Sequence, residues 1–171
     1  MPLLLKQTNH KARFFRERLS NTVSLDMMLI PNGTFLIGSP EDEIDRLQNE
    51  SPQHSVTVSS FCMGKYPITQ AQWRVVSNLP LVEQELNPKP SKFSGDDRPV
   101  EQVSWFDAQE FWVRLSKLTK REYRIPSEAE WEYACRAGTT SPFHFGETIS
   151  TDLANYRGEY AYGRGEKGAF R

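Results

Sequence analysis

The sequence predicts an α+β fold, and three observations carry that prediction. Short extended runs crowd residues 23–69, N-capped segments of helical periodicity lie between Thr69 and Gly138, and the chain beyond Gly138 is rich in glycine and aromatics without long periodicity. With 171 residues the chain suits one domain and can bury a substantial core. Hydrophobic residues make up 37% and charged residues 25%, which is ordinary for ordered soluble chains and argues against global disorder.

Residues 1–22 read as a basic tail. Lys6, Lys11, Arg13, Arg16 and Arg18 stand against Glu17 alone, with little hydrophobic periodicity. A frayed or weakly helical segment is expected, with a nucleic-acid arm as the alternative. The domain proper is expected to run from residue 23 to residue 171. "VSLDMMLI" then leads into "PNGTFLIGS". Asn32-Gly33 is the dipeptide that a two-residue type I′ turn favours, so Met27 to Ile30 is expected to pair with Thr34 to Ile37 in a hairpin. The acidic, proline-bounded run Pro40 to Gln53 lacks the alternating Asp/Asn and central Gly of a calcium loop and reads as a solvated loop. From His54 to Thr69 the chain is again extended, with Val56 and Val58 alternating against polar residues.

Thr69 and Gln72 form a capping box, in which each side chain satisfies the other residue's free backbone N–H. Trp73 and Val76 of that helix face the core, and Pro80 ends it. A loop covers Glu85 to Pro99. Ser104 and Asp107 open the next helix, whose Ala108, Phe111, Trp112, Leu115 and Leu118 make one apolar face, with Arg114 and Lys117 on the polar side. The third helix starts in "RIPSEAEWEYACRAGT": Pro126 fixes the entry, Ser127 is the N-cap, Glu130 is its partner and Gly138 stops it. Glu128 and Glu130 sit in the first turn, where the helix dipole favours carboxylates, and point to different sides, so a shared acid/base site is not expected.

The formal net charge is −1, which gives no electrostatic reason to expect nucleic acid or an anionic membrane as partner. The early apolar run Leu3 to Leu5 is too short for a signal or a membrane span, and a cytoplasmic location is expected. Cys62 and Cys135 lack metal-ligand spacing and read as buried free thiols. His10, His54 and His144 lie far apart, outside any helix-borne metal motif.

Taken together, "GTFLIGS", "GKYPITQAQW", "RPVEQVSWFDAQEF", "RIPSEAEWEYACRAGTT" and "LANYRG" resemble, in order and rough spacing, the formylglycine-generating enzyme (sulfatase-modifying factor) domain family, over about residues 25–171 and in a bacterial form. The resemblance implies a C-type-lectin-like fold of short strands, few helices and much irregular chain. It implies a family activity in which a protein cysteine is oxidised to formylglycine with oxygen and with copper held by two cysteines. Related members form a C–S bond with iron, and others are non-catalytic binding modules. The family's copper cysteines lie in a later segment, and the chain ends at Arg171 before it. The expectation is therefore a partial domain with no catalytic or cofactor-binding residues of its own, inactive alone, with copper expected only in the full-length domain. Lectin-like binding or a truncated gene product are the alternatives. Partners expected on this basis are a peptide substrate, a second chain supplying the C-terminal part, or another copy of the chain. The resemblance also places a calcium site at Asn155 and the Tyr156 carbonyl, against the alternative that Asn155 caps a turn.

Overall fold

The computed structural model describes residues 11–168, which fall into two compact units interleaved along the chain. Residues 11–31 and 60–126 form one, called here the core unit, and residues 32–59 and 127–168 form the other, the loop unit. Residues 1–10, with Lys6 and His10 of the basic stretch, lie outside the described residues.

The core unit is built on an antiparallel sheet of order β1-β2-β5, with β1 at Phe14–Arg18, β2 at Ser24–Ile30 and β5 at Phe61–Gly64. Part of the expected tail is thus a strand. Its charges hid it: Arg16 sits opposite Asp26 in the β1–β2 register and holds it through two hydrogen bonds, of 2.6 and 3.0 Å. A cross-strand ion pair of this kind fits a solvent-facing strand position, where a sequence reading registers only charge. The expected hairpin is also absent. β2 already has β1 on one side and β5 on the other, whereas β3 (Gly33–Ile37) pairs with β4 (His54–Val58) in the loop unit. Gly33 lies instead under Tyr133, whose hydroxyl occupies the place a Cβ would take.

Three helices follow, each opened at the expected N-cap by a capping box: α1 at Gln70–Ser77 by Thr69 and Gln72, α2 at Trp105–Thr119 by Ser104 and Asp107, and α3 at Glu128–Arg136 by Ser127 and Glu130. In the core unit Leu25 and Met27 of β2, Trp73 and Val76 of α1, and Phe111 and Leu115 of α2 join Leu19 and Leu86 in one apolar cluster. The Trp73 and Phe111 rings stack at 5.1 Å. Leu118, expected on the same face, is 42% exposed at the end of α2.

Arg114 corrects the sequence reading most sharply. Expected on the polar side, it is buried against Glu110, with its Nε 2.6 Å from the carboxylate. Its remaining donors reach the Ser77, Leu79 and Gln84 carbonyls. Glu110 in turn accepts from the backbone N–H groups of Val82, Glu83 and Gln84. A buried pair persists when its leftover donors and acceptors are all met, and here they are met by the backbone of the segment after α1.

In the loop unit α3 packs on the β3–β4 pair. Tyr133 lies against Phe35 with ring centroids 5.4 Å apart. Glu132 accepts from the Gly38 N–H at 3.1 Å, and Arg136, bonded to Glu132, donates to the Gly38 carbonyl at 3.0 Å. Gly38 has φ +89°, and a Cβ there would meet the Glu50 carbonyl, so only glycine lets the chain leave β3 this way. Ala137 at φ 49° and Gly138 at φ 87° end α3 in left-handed conformation. Residues 139–168 hold together through turns and ring contacts, such as Phe143 against Tyr162 at 5.0 Å.

Candidate functional site

The loop unit carries a cleft of about 760 Å³. One wall is the Pro40–Ile44 turn, a second is the segment 138–142 after α3, and the third comprises Glu147, Thr148 and residues 162–164. The side chains follow from these loops. Ser39, buried at the base of the first wall, donates 2.5 Å to Glu50 and so ties down the root of the acidic loop. Tyr162 donates to the Ile44 carbonyl at 3.0 Å and joins the first wall to the third. Thr148 closes the third wall on itself through the Tyr162 carbonyl.

Asp42, Glu43 and Glu147 line the cleft with Arg164 as the cationic side chain. Burial, together with the carboxylates of Glu43, Asp45 and Glu147, pushes the Tyr162 hydroxyl above its ordinary pKa, so it stays protonated and remains a hydrogen-bond donor. The lining holds threonine and serine hydroxyls but neither cysteine nor histidine. Such a surface can recognise a polar ligand by hydrogen bonds and by carboxylate charge.

The residues singled out in the sequence do not converge there. Ser127 receives the Glu130 N–H at 3.2 Å, and Glu130 receives the Ser127 N–H at 2.8 Å, so the carboxylate of Glu130 is engaged as a cap. Glu128 is exposed in the first turn. Cys62 and Cys135 are both exposed rather than buried. The pleat of β5 half-buries Phe61 and Met63 and turns Cys62 outward, and α3 gives its packed side to Tyr133, Glu132 and Arg136. The thiols belong to different units, and no group of three or more His, Cys, Asp or Glu placed to hold a metal occurs among the described residues. Asn155 is exposed, and the Tyr156 hydroxyl donates to the Ile149 carbonyl at 3.1 Å. Calcium takes six to eight oxygens. Asn155 and the Tyr156 carbonyl would supply two of them.

Glu132 and Arg136 were legible but unread: Glu and Arg four apart on a helix are neighbours by geometry. Nothing local in the sequence signals the cleft, because its walls come from three separated loops.

The family model described as "Sulfatase-modifying factor enzyme 1-like domain" matches residues 14–169. Among curated proteins, "Chaperone protein LppX" of Paenibacillus barcinonensis is 30% identical over 155 residues, covering 71% of this chain and 49% of that protein. "Hercynine oxygenase" of Mycolicibacterium smegmatis is 29% identical, covering 77% of this chain and 37% of its own length. "Formylglycine-generating enzyme" of Mycobacterium tuberculosis is 26% identical, covering 71% and 55%. The chain thus spans about half the length or less of these relatives. Among solved structures, PvdO from Pseudomonas aeruginosa superposes with a TM-score of 0.65 at 28% identity, covering 87% of this chain and 59% of that one. Treponema denticola variable protein 1, at 21% identity and a TM-score of 0.56, shares the fold.

Proposed function

The chain belongs to the sulfatase-modifying factor enzyme 1-like domain family, and we propose that its residues serve such a domain as scaffold and protein-contacting surface, while Cys62 and Cys135 take no part in oxidation. Relatives named formylglycine-generating enzyme and hercynine oxygenase supply the family's oxidative context. The observation that carries the reading is the placement of the two thiols: each is exposed, on a different element of a different unit, without a group of further soft or imidazole donors. Cu(I) selects thiolate ligands, and the two cysteines lie on separate elements, β5 and α3, 73 residues apart in sequence. The cleft of the loop unit is the surface assigned to substrate or partner contact, through its carboxylates, hydroxyls and Tyr162.

The test is a cysteine-containing sulfatase peptide incubated with the chain, copper and oxygen, and read by mass spectrometry. The peptide is expected to remain unchanged. Aldehyde product that disappears in Cys62→Ser or Cys135→Ser would overturn the reading.

The relative named as a chaperone favours a second reading, a binding module without catalysis. Both readings include contact with a second polypeptide or another copy of the chain. The exposed edge-to-face pair Trp105 and Phe106, 60% and 68% accessible, supports such contact. Static light scattering distinguishes a monomer from a self-associating chain. A lectin-like architecture and a cytoplasmic location complete the proposal on the family resemblance. Among the described residues no helix is long and apolar enough to cross a membrane.

A further inference from the structure

We propose that residues 80–85 form a strap that opens and closes as one unit on α2, with the Glu110–Arg114 pair as its latch. The strap begins after Leu79, which packs on the apolar cluster, and ends at Leu86, which is 7% exposed within it. Between these two anchors Pro80, Leu81, Glu83 and Glu85 face solvent. Among the described residues the segment pairs with no strand.

Its polar attachments run to α2 side chains. One carboxylate, Glu110, accepts three consecutive amides, from Val82 at 2.9 Å, Glu83 at 3.0 Å and Gln84 at 3.4 Å. Arg114 holds the Gln84 carbonyl at 2.7 Å, and Asp107 holds the Gln84 side chain at 2.9 Å. A ladder of backbone bonds can fray one rung at a time. Here the three amides share one carboxylate, Val82 on Oε1 and Glu83 and Gln84 on Oε2, so a movement of that carboxylate away from the strap releases all three together. The strap therefore has two states, closed on α2 or open at all three amides. The open state presents the Glu110 carboxylate and the Arg114 guanidinium, both buried when closed, to solvent. Each charge regains water on opening, which offsets part of the lost bonding and keeps opening separate from unfolding of the sheet.

Amide hydrogen exchange on the full chain tests this with two readings. In the unchanged protein, Val82, Glu83 and Gln84 are expected to share one opening constant, nearly independent of low urea, while β2 amides show the steep urea dependence of global unfolding. In Glu110→Gln, exchange at the three amides is expected to rise at least about tenfold, with β2 and β5 amides unchanged. Three unrelated opening constants, or a urea dependence equal to that of β2, would overturn the proposal even if the variant failed to fold. A variant that folds and raises all amides alike, or none, would overturn it too.

Discussion

The two units are stabilised in different ways. The core unit holds Leu19, Leu25, Met27, Trp73, Val76, Leu86, Phe111 and Leu115 in one buried apolar cluster, and its polar bonds join side chains to that framework. In the loop unit Val58 is the one buried hydrophobic residue among the described residues, and the fold rests on Glu132 and Arg136 gripping Gly38, on Ser39 holding Glu50, and on ring contacts among irregular segments. Apolar burial is cumulative and hard to lose piecemeal, whereas a hydrogen-bonded loop stands on a few partners. The cleft lies in the unit that rests on these hydrogen bonds and ring contacts.

Phe111→Ala should have the largest effect. It removes a fully buried ring from the stack with Trp73 and should cost about 3–5 kcal/mol by urea denaturation. A loss no greater than that of a loop-unit variant would erase the distinction between the units.

Acid should act next, and on the core unit. Burial raises the Glu110 pKa, but the Arg114 bond and the three strap amides outweigh it and hold the carboxyl below its ordinary value. A group depressed in the folded state contributes fully above its unfolded pKa, and that contribution is lost as pH falls through the lower folded value. Unfolding midpoints measured from pH 6 downward should therefore fall below the ordinary carboxyl range, and less so in Glu110→Gln.

In the loop unit Arg136→Ala leaves the Gly38 carbonyl and the Glu132 carboxylate without their guanidinium. The expected cost is about 1–3 kcal/mol, with little change in the near-ultraviolet signal of the Trp73–Phe111 stack. Ser127→Ala should cost about 0.5–2 kcal/mol through loss of the α3 N-cap. Glu128→Gln, at an exposed first-turn position, should stay within about 0.5 kcal/mol. If Glu128→Gln proved the more damaging, Glu128 would have a role that capping does not describe.

What the sequence made legible was local. The helix starts at Thr69, Ser104 and Ser127 depend on residues three apart, and all three helices open there as expected. The apolar faces of α1 and α2 followed from periodicity, with Trp73, Val76, Phe111 and Leu115 buried. Strand partners are not local. Asn32-Gly33 suggested a turn, but the competition for the edges of β2 was decided by Phe14–Arg18 and Phe61–Gly64, tens of residues apart. Arg114 was misplaced because a Glu and an Arg four apart look the same on a solvated face as in a buried latch, and only the returning strap separates the two. The cleft, assembled from three loops, left no periodic trace.

The contrast between the units is tested most directly by native-state hydrogen exchange resolved along the whole chain. The account predicts that amides of β2, β5 and α2 are the slowest, opening only with global unfolding, while those of β3, β4 and α3 exchange at least about tenfold faster through an opening of the loop unit alone. Equal protection in β3, β4 and α3, with the same urea dependence as β2, would contradict it and make the two units a single cooperative body.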